Sequence, residues 1–357
     1  MKACFQIAEC SLSYAKLIKF LELSSFGTIF FYNFAYYYIE NCILIEKTME
    51  IKEGYMPFMG YQTYYRIVDN DGCFDESNHT FNHDKIKDGK SPIILLHGGP
   101  GSTHNYFELL DRVALSGRAV ISYDQLGCGN SYVEGHPELW TPETWLNELC
   151  ALIEYLHLDS FHLLGQSWGG MLDIIYLIEK KAKGVKSAIL SSTLSSSKLW
   201  ASEQHRMIKY MSEEDQRAIA EAEAKDDFSS DAYAKANEHF MLLHCAGEVT
   251  EDSPECLRRK KKSGAEAYLY GWGPNEYTPT GTLRDYDYTD RLQEIKVPCL
   301  IMSGTNDLCT PLVAKTLYDG IADSKWELFV GARHMPFAEQ TDKYCEVLEK
   351  WLDEHEK

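Results

Sequence analysis

A serine between glycines, an aspartate and a histidine far downstream carry the chemistry latent in this chain. Gly165-Gln166-Ser167-Trp168-Gly169 is a G-x-S-x-G motif that follows the apolar run Phe161–Gly165 and precedes a helical pattern at Met171, Ile174, Ile175 and Ile178. That spacing predicts a strand-to-helix turn so sharp that only glycines fit beside the serine, with its hydroxyl exposed at a helix N-terminus. A serine hydroxyl becomes an effective nucleophile only when a base takes its proton, and the base needs a carboxylate to orient it. Asp307 falls just past the run Pro298–Gly304, and His334 just past Trp326–Val330. Both are therefore expected at the sheet edge that holds Ser167. Asp285, Asp287 and Asp290 precede the run and belong to the opposite edge. A developing oxyanion needs two preorganised N–H groups. One is expected from Trp168 and the other from the glycine-rich His97–Gly101, where no side chain covers the backbone. No G-K-S/T follows those glycines, so the loop is not a phosphate cradle.

The elements that must position these residues are short apolar runs ending in turn residues: Pro92–His97, Ala119–Asp124, Phe161–Gly165, Ser187–Ser192, Pro298–Gly304 and Trp326–Val330. Such β-branched runs suit strands buried on both faces of a parallel sheet. Helical patterns alternate with them; one starts at Thr141-Pro142-Glu143 and places Trp145, Leu149, Leu152, Ile153 and Leu156 on one face. The pattern predicts an α/β fold with a mostly parallel sheet and helices on both faces. Residues 195–288 lack a strand run and are rich in helix formers and charge, which predicts an inserted helical cap. The core is then expected in two parts, 49–194 and 289–357. Thr63–Val68 reads as a strand, and Asp69–Ser91 as a polar surface loop.

Together, HGGPG (97–101), YDQLGCGNS (123–131), GQSWGGM (165–171), WGPNEY (272–277), GTLRDYD (281–287) and the D-x-x-T-P of Asp307–Pro311 resemble the proline iminopeptidase family of α/β hydrolases. The nearest branch is that of tricorn-interacting aminopeptidases and L-amino-acid amidases. The resemblance runs from about Ile51 to Leu352 and implies the α/β-hydrolase fold with Ser167, Asp307 and His334 as triad. It also implies that Gly99 and Trp168 supply the oxyanion N–H groups and that the insertion covers the site. Glu276 matches a glutamate that holds the substrate's free amine in this family, and Glu203 is a second candidate. Leu308 stands where relatives of the branch often carry glutamate, so one carboxylate of the amine clamp is missing.

The resemblance implies release of N-terminal proline, or another small apolar residue, from short peptides or amino-acid amides through an acyl-enzyme, with no cofactor or metal. A carboxylesterase or amidase without a free-amine requirement is the alternative within enzymes. A catalytically silent hydrolase-fold binding protein is the alternative from another class; such proteins usually lose a triad member. The 357 residues carry 35 Lys and Arg against 54 Asp and Glu, a net charge of −19 that excludes nucleic acid as an expected partner. Eleven cysteines without a C-x-x-C pair suit reduced thiols in the cytoplasm better than a disulfide or zinc framework. Residues 1–48 read as an extension outside the domain. Phe26–Ile45 is long enough to cross a bilayer, but Glu40, two asparagines and four tyrosines interrupt it. A membrane anchor is therefore the second reading of that segment. Oligomeric state is not legible.

Overall fold

In the computed structural model, residues 49–69, 74–81 and 90–356 are described. From Glu50 onward the chain is one compact unit. The expectations for residues 1–48, including the segment 26–45, lie outside the described residues. Among the described residues no helix is long and apolar enough to cross a membrane.

Eight strands form the main sheet: β1 (Glu50–Phe58), β2 (Tyr61–Asp69), β5 (Ile93–Leu96), β6 (Val120–Tyr123), β7 (Phe161–Gln166), β8 (Val185–Ser191), β9 (Cys299–Gly304) and β10 (Ser324–Phe329). Their order is β1-β2-β6-β5-β7-β8-β9-β10. β1 and β2 pair antiparallel, β2 joins β6 antiparallel, and every later pair is parallel. Every residue of β5, β6, β7 and β9 is buried, as the unbroken apolar runs require of strands covered on both faces.

Two features depart from the sequence reading. β1 is absent from it; this is an edge strand whose residues are mostly exposed, so it lacks the continuous apolar run that marks the central strands. The polar stretch after Asp69 is not wholly loop either. β3 (Phe74–Asp75) and β4 (Thr80–Phe81) pair antiparallel, and their two phenylalanines are buried with ring centroids 5.0 Å apart.

The helices of the first half are α1 (Pro142–Tyr155) and α2 (Trp168–Glu179). Thr141 caps α1 by accepting from the Thr144 N–H, with Pro142 in the first turn, so the sequence signal and the cap coincide. Between β8 and β9 lie α3 (Ser197–Ile208), α4 (Glu213–Lys225), α5 (Asp231–His244), α6 (Glu255–Arg258) and α7 (Ala265–Gly271), with no strand among the described residues. The two ends of this helical insertion meet in an antiparallel bridge between Ser196 and Asp287. It is flanked by Ser197 N–H to Tyr286 O at 2.9 Å and Tyr288 N–H to Ser195 O at 2.7 Å. α8 (Pro311–Gly320), α9 (Pro336–Glu339) and α10 (Thr341–Glu354) complete the second half.

Just after α10, Glu356 closes a polar cluster beneath the strands. Its carboxylate accepts from the fully buried Arg118 at 2.6 Å and from the Ser91 N–H at 2.6 Å, and it lies 3.3 Å from His162 Nε2. Burial alone would raise this carboxyl, but the hydrogen bonds from His162, Ser91 and Arg118 outweigh it and hold it well below the usual glutamate range. A depressed carboxyl stabilises the fold above its unfolded pKa and loses that contribution as pH falls toward the folded one. Glu356→Gln should therefore cost about 2–3 kcal/mol at neutral pH. In thermal melts the gap to wild type should narrow as the pH is taken below about 4.

Candidate active site

The turn between β7 and α2 sets Ser167. Its φ is 56° and ψ −121°, a left-handed backbone that a non-glycine residue adopts only under constraint. The neighbouring glycines are required by contact. A Cβ on Gly169 would sit 1.9 Å from the Leu96 carbonyl oxygen, and one on Gly170 would sit 2.6 Å from the Thr193 side chain. Helix α2 thus rests directly on the end of β5, whose following loop begins at His97.

That loop is braced from several sides. The His97 Nδ1 lies 2.9 Å from the Gly98 carbonyl, and its Nε2 accepts the Gln125 N–H at 3.0 Å. Burial pushes the ring down to about 4, so His97 is a neutral strut. The Gly98 N–H donates to the Tyr106 hydroxyl at 2.6 Å, and that hydroxyl donates to Gln166 Oε1 at 2.9 Å. The Gly99 N–H, by contrast, meets no acceptor among the described residues, nor does the N–H of Trp168 at the head of α2. The Trp168 indole donates to Gln125 Oε1 at 2.7 Å, so the same glutamine ties both loops together.

Asp307 and His334 follow β9 and β10. The His334 Nδ1 lies 2.7 Å from Asp307 Oδ1, and both side chains are buried. Asp307 also accepts from Ser192 Oγ at 2.6 Å, the Gly304 N–H at 3.0 Å and the Cys309 N–H at 2.8 Å. Four donors fix the carboxylate, and it in turn fixes one face of the imidazole. Edge-on contact with Trp200, 5.8 Å between centroids, holds the ring from the insertion side.

Ser167, His334, Gly99 and Glu276 line one cavity of about 490 Å³, together with Tyr268, Cys245, Lys261 and Met335. Glu276 accepts from the Tyr268 hydroxyl at 2.8 Å. Burial pushes its carboxyl above the ordinary value of 4.5, against opposing effects from His334 and the Tyr268 hydrogen bond. Glu203 is elsewhere: it does not line the cavity, and Arg206 (2.8 and 2.9 Å) and Thr310 (2.6 Å) occupy its oxygens. The second amine-binding candidate is thus already neutralised within α3. Leu308 is fully buried, and its carbonyl accepts from the Gln204 side chain at 2.7 Å. Sequence reasoning missed Ser192, Tyr106, Gln125 and Tyr268. Each is a lone polar residue in a loop or helix, and only its partner across the fold reveals its role. Among the described residues, no group of three or more His, Cys, Asp or Glu side chains could hold a metal ion.

An acidic, imidazole-paired pocket of this kind can activate a hydroxyl and stabilise an oxyanion. Known proteins resemble this chain in sequence and fold. Residues 91–341 match the alpha/beta hydrolase fold family. A proline iminopeptidase of Clostridioides difficile (strain 630) is 61% identical over 305 residues, covering 85% of this chain and 99% of the relative. One from Lactobacillus helveticus (strain DPC 4571) is 57% identical over 310 residues, covering 86% and 100%. The crystal structure of a Mycobacterium smegmatis proline iminopeptidase superposes with a TM-score of 0.71 at 27% identity, covering 85% of this chain and 99% of that one.

The close approach of α2 to β5 gives a direct test. Gly169→Ala must displace backbone, and should lower stability by more than about 3 kcal/mol or abolish soluble protein. Gly60 also has a positive φ, 83°, but nothing lies within 4 Å of its added Cβ. Gly60→Ala should cost only about 1 kcal/mol in the same denaturant titration.

Proposed function

Because the chain belongs to the proline iminopeptidase family of α/β hydrolases, we infer that it is a serine aminopeptidase releasing N-terminal proline from short peptides. The observation that carries the site assignment is the single cavity shared by Ser167, His334 and the partly buried carboxylate of Glu276. A bare esterase needs the first two; a carboxylate deep in the same space adds a reason to require a free amine.

In this reading Ser167 attacks the carbonyl of the N-terminal residue while His334 takes its proton. Asp307, held by four donors, keeps the imidazole in one tautomer and stabilises the cation that forms. The unpartnered N–H groups of Gly99 and Trp168 receive the oxyanion. His334 returns the proton to the leaving nitrogen, and water repeats the sequence on the acyl-enzyme. Glu276 faces the protonated amine of the substrate. A cation moved out of water needs a carboxylate in its place, and Tyr268 keeps that carboxylate aimed. With Glu203 engaged by Arg206 and Leu308 apolar, Glu276 carries this task alone, so selectivity against blocked N-termini should be moderate. The helical insertion acts as the cap that supplies Glu276 and Tyr268. A cytoplasmic setting belongs to the same reading; the seven cysteines among the described residues are free thiols.

Ser167→Ala should lower kcat for a prolyl-naphthylamide by roughly 10³-fold or more, with the circular-dichroism spectrum unchanged. A folded variant with near-normal turnover would reassign the nucleophile.

Glu276 should write its own signature on pH dependence. A raised carboxyl takes up its proton at a higher pH than an ordinary glutamate. The charged form that binds the amine is therefore lost earlier on acidification. KM for a free prolyl substrate should rise as pH falls, beginning above 4.5. In Glu276→Gln, KM should be higher by roughly 10–100-fold at neutral pH, and the acid-side rise should vanish. The N-acetylated substrate should be affected far less; equal loss on both would make Glu276 a structural support of the insertion.

A further inference from the structure

The cavity that contains Glu276 also presents a cation. Lys261 is the only lysine or arginine among its described lining residues, and its ammonium lies 5.6 Å from the Tyr106 ring centroid. Two neighbouring basic groups are engaged: Arg259 bridges Glu255 and Glu108, and Lys262 stacks 3.2 Å over Tyr132. Lys261 forms no ion pair with a carboxylate among the described residues. The residue reaches solvent, yet desolvation of its ammonium pulls the pKa below the usual lysine value.

Its position is set by backbone contacts. The Gly264 N–H donates to Gly101 O at 2.8 Å, and the Gly129 N–H donates to Lys262 O at 2.7 Å. A Cβ on Gly101 would lie 2.4 Å from Gly264 O. The segment carrying Lys261 is thus fastened to the loops after β5 and β6.

Lys261 lies on the Tyr106 side of the cavity. His334 delivers the proton to the leaving nitrogen, so the departing residue lies beside His334 and the segment just after it. Met335 lines the cavity there. Phe337, on α9, stacks on Tyr106 with centroids 5.2 Å apart, and Lys261 lies over that same tyrosine.

A short peptide released from a longer one carries an ammonium at one end and a carboxylate at the other. The chain's net charge of −19 repels the carboxylate, so a local cation is needed where that group must enter. We propose that Lys261 binds the free C-terminal carboxylate of the substrate. The preferred class is then very short zwitterionic peptides, dipeptides above all, with the amine at Glu276 and the carboxylate at Lys261. The proposal rests on the aminopeptidase reading above.

The test compares kcat/KM for a prolyl dipeptide with that for its C-terminal amide, in wild type, Lys261→Met, Lys261→Arg and Lys261→Glu. Wild type should favour the free acid by about tenfold, the scale of one charge-assisted hydrogen bond at a partly wet site. The acid-to-amide ratio should fall to about one in Lys261→Met, survive in Lys261→Arg and invert in Lys261→Glu. Added salt should shrink it in wild type. The ratio is internal to each variant, so general damage to the fold cancels. A wild-type ratio near one, or an equal ratio in wild type and Lys261→Met, overturns the proposal. Failure of wild type to cleave either peptide or a prolyl-naphthylamide would instead overturn the aminopeptidase reading.

Discussion

The close approach of α2 to the end of β5 is the constraint on which the rest of the site depends. With a bare Gly169 against the Leu96 carbonyl, the head of the helix and the loop after β5 come together at Ser167. The left-handed backbone at that residue costs on the order of 1–3 kcal/mol. It is held from both directions. The Ser167 N–H donates to Ser191 O at 3.0 Å, and its carbonyl accepts from Gly170, Met171 and the Thr193 hydroxyl. Thr193 therefore does two things: it pins the turn through its hydroxyl and requires glycine at position 170 through its bulk. Placement of two free N–H groups beside one hydroxyl follows from this packing.

Electrostatics around the site divide into charges that are satisfied and charges kept in reserve. Asp307 accepts four hydrogen bonds, whereas Glu276 accepts one and sits in a cavity where burial already favours its neutral form. An under-solvated carboxylate gains most from an arriving cation, because the cost of its own desolvation has been met by folding. On helix α2, Asp173 has neither oxygen in a well-formed hydrogen bond, and burial pushes its carboxyl well above the usual range. Its raised pKa means its contribution is most favourable below the unfolded value and declines as pH rises. The protein thus carries carboxylates whose pH responses oppose one another, Glu356 weakening on acidification and Asp173 on its reversal.

Much of this is legible in the chain because parallel strands and a nucleophile turn leave strong local marks. The runs 92–97, 119–124, 161–165, 187–192, 298–304 and 326–330 each fall on a strand; the central ones are marked by burial on both faces, and the edge strand β10 by its aromatic and aliphatic residues despite Glu327. The edge strand β1 escapes because one wet face and an open edge erase that mark. Ser167, Asp307 and His334 are located by their distance past strand ends, and the structure sets His334 against Asp307 and places His334 in the cavity that Ser167 lines. Glu203 is suggested only by its neighbourhood, yet Arg206 three residues on takes its charge, a pairing that i,i+3 spacing could have flagged. Ser192 and Tyr106 leave no local signal because their partners lie 115 and 60 residues away.

The bridge between Ser196 and Asp287 has an evolutionary consequence. The polypeptide leaves the sheet and re-enters it at adjacent points, so whatever lies between is topologically a side excursion. Its length or helix content can change without altering the strand order or the register of β8 against β9, and loop closure grows dearer only logarithmically with length. Selection can therefore exchange this one segment and redirect the same hydrolytic apparatus toward another class of molecule. Lineages that share the strands and the nucleophile turn are then expected to diverge fastest here, with the positions that brace His334, such as Trp200, changing least.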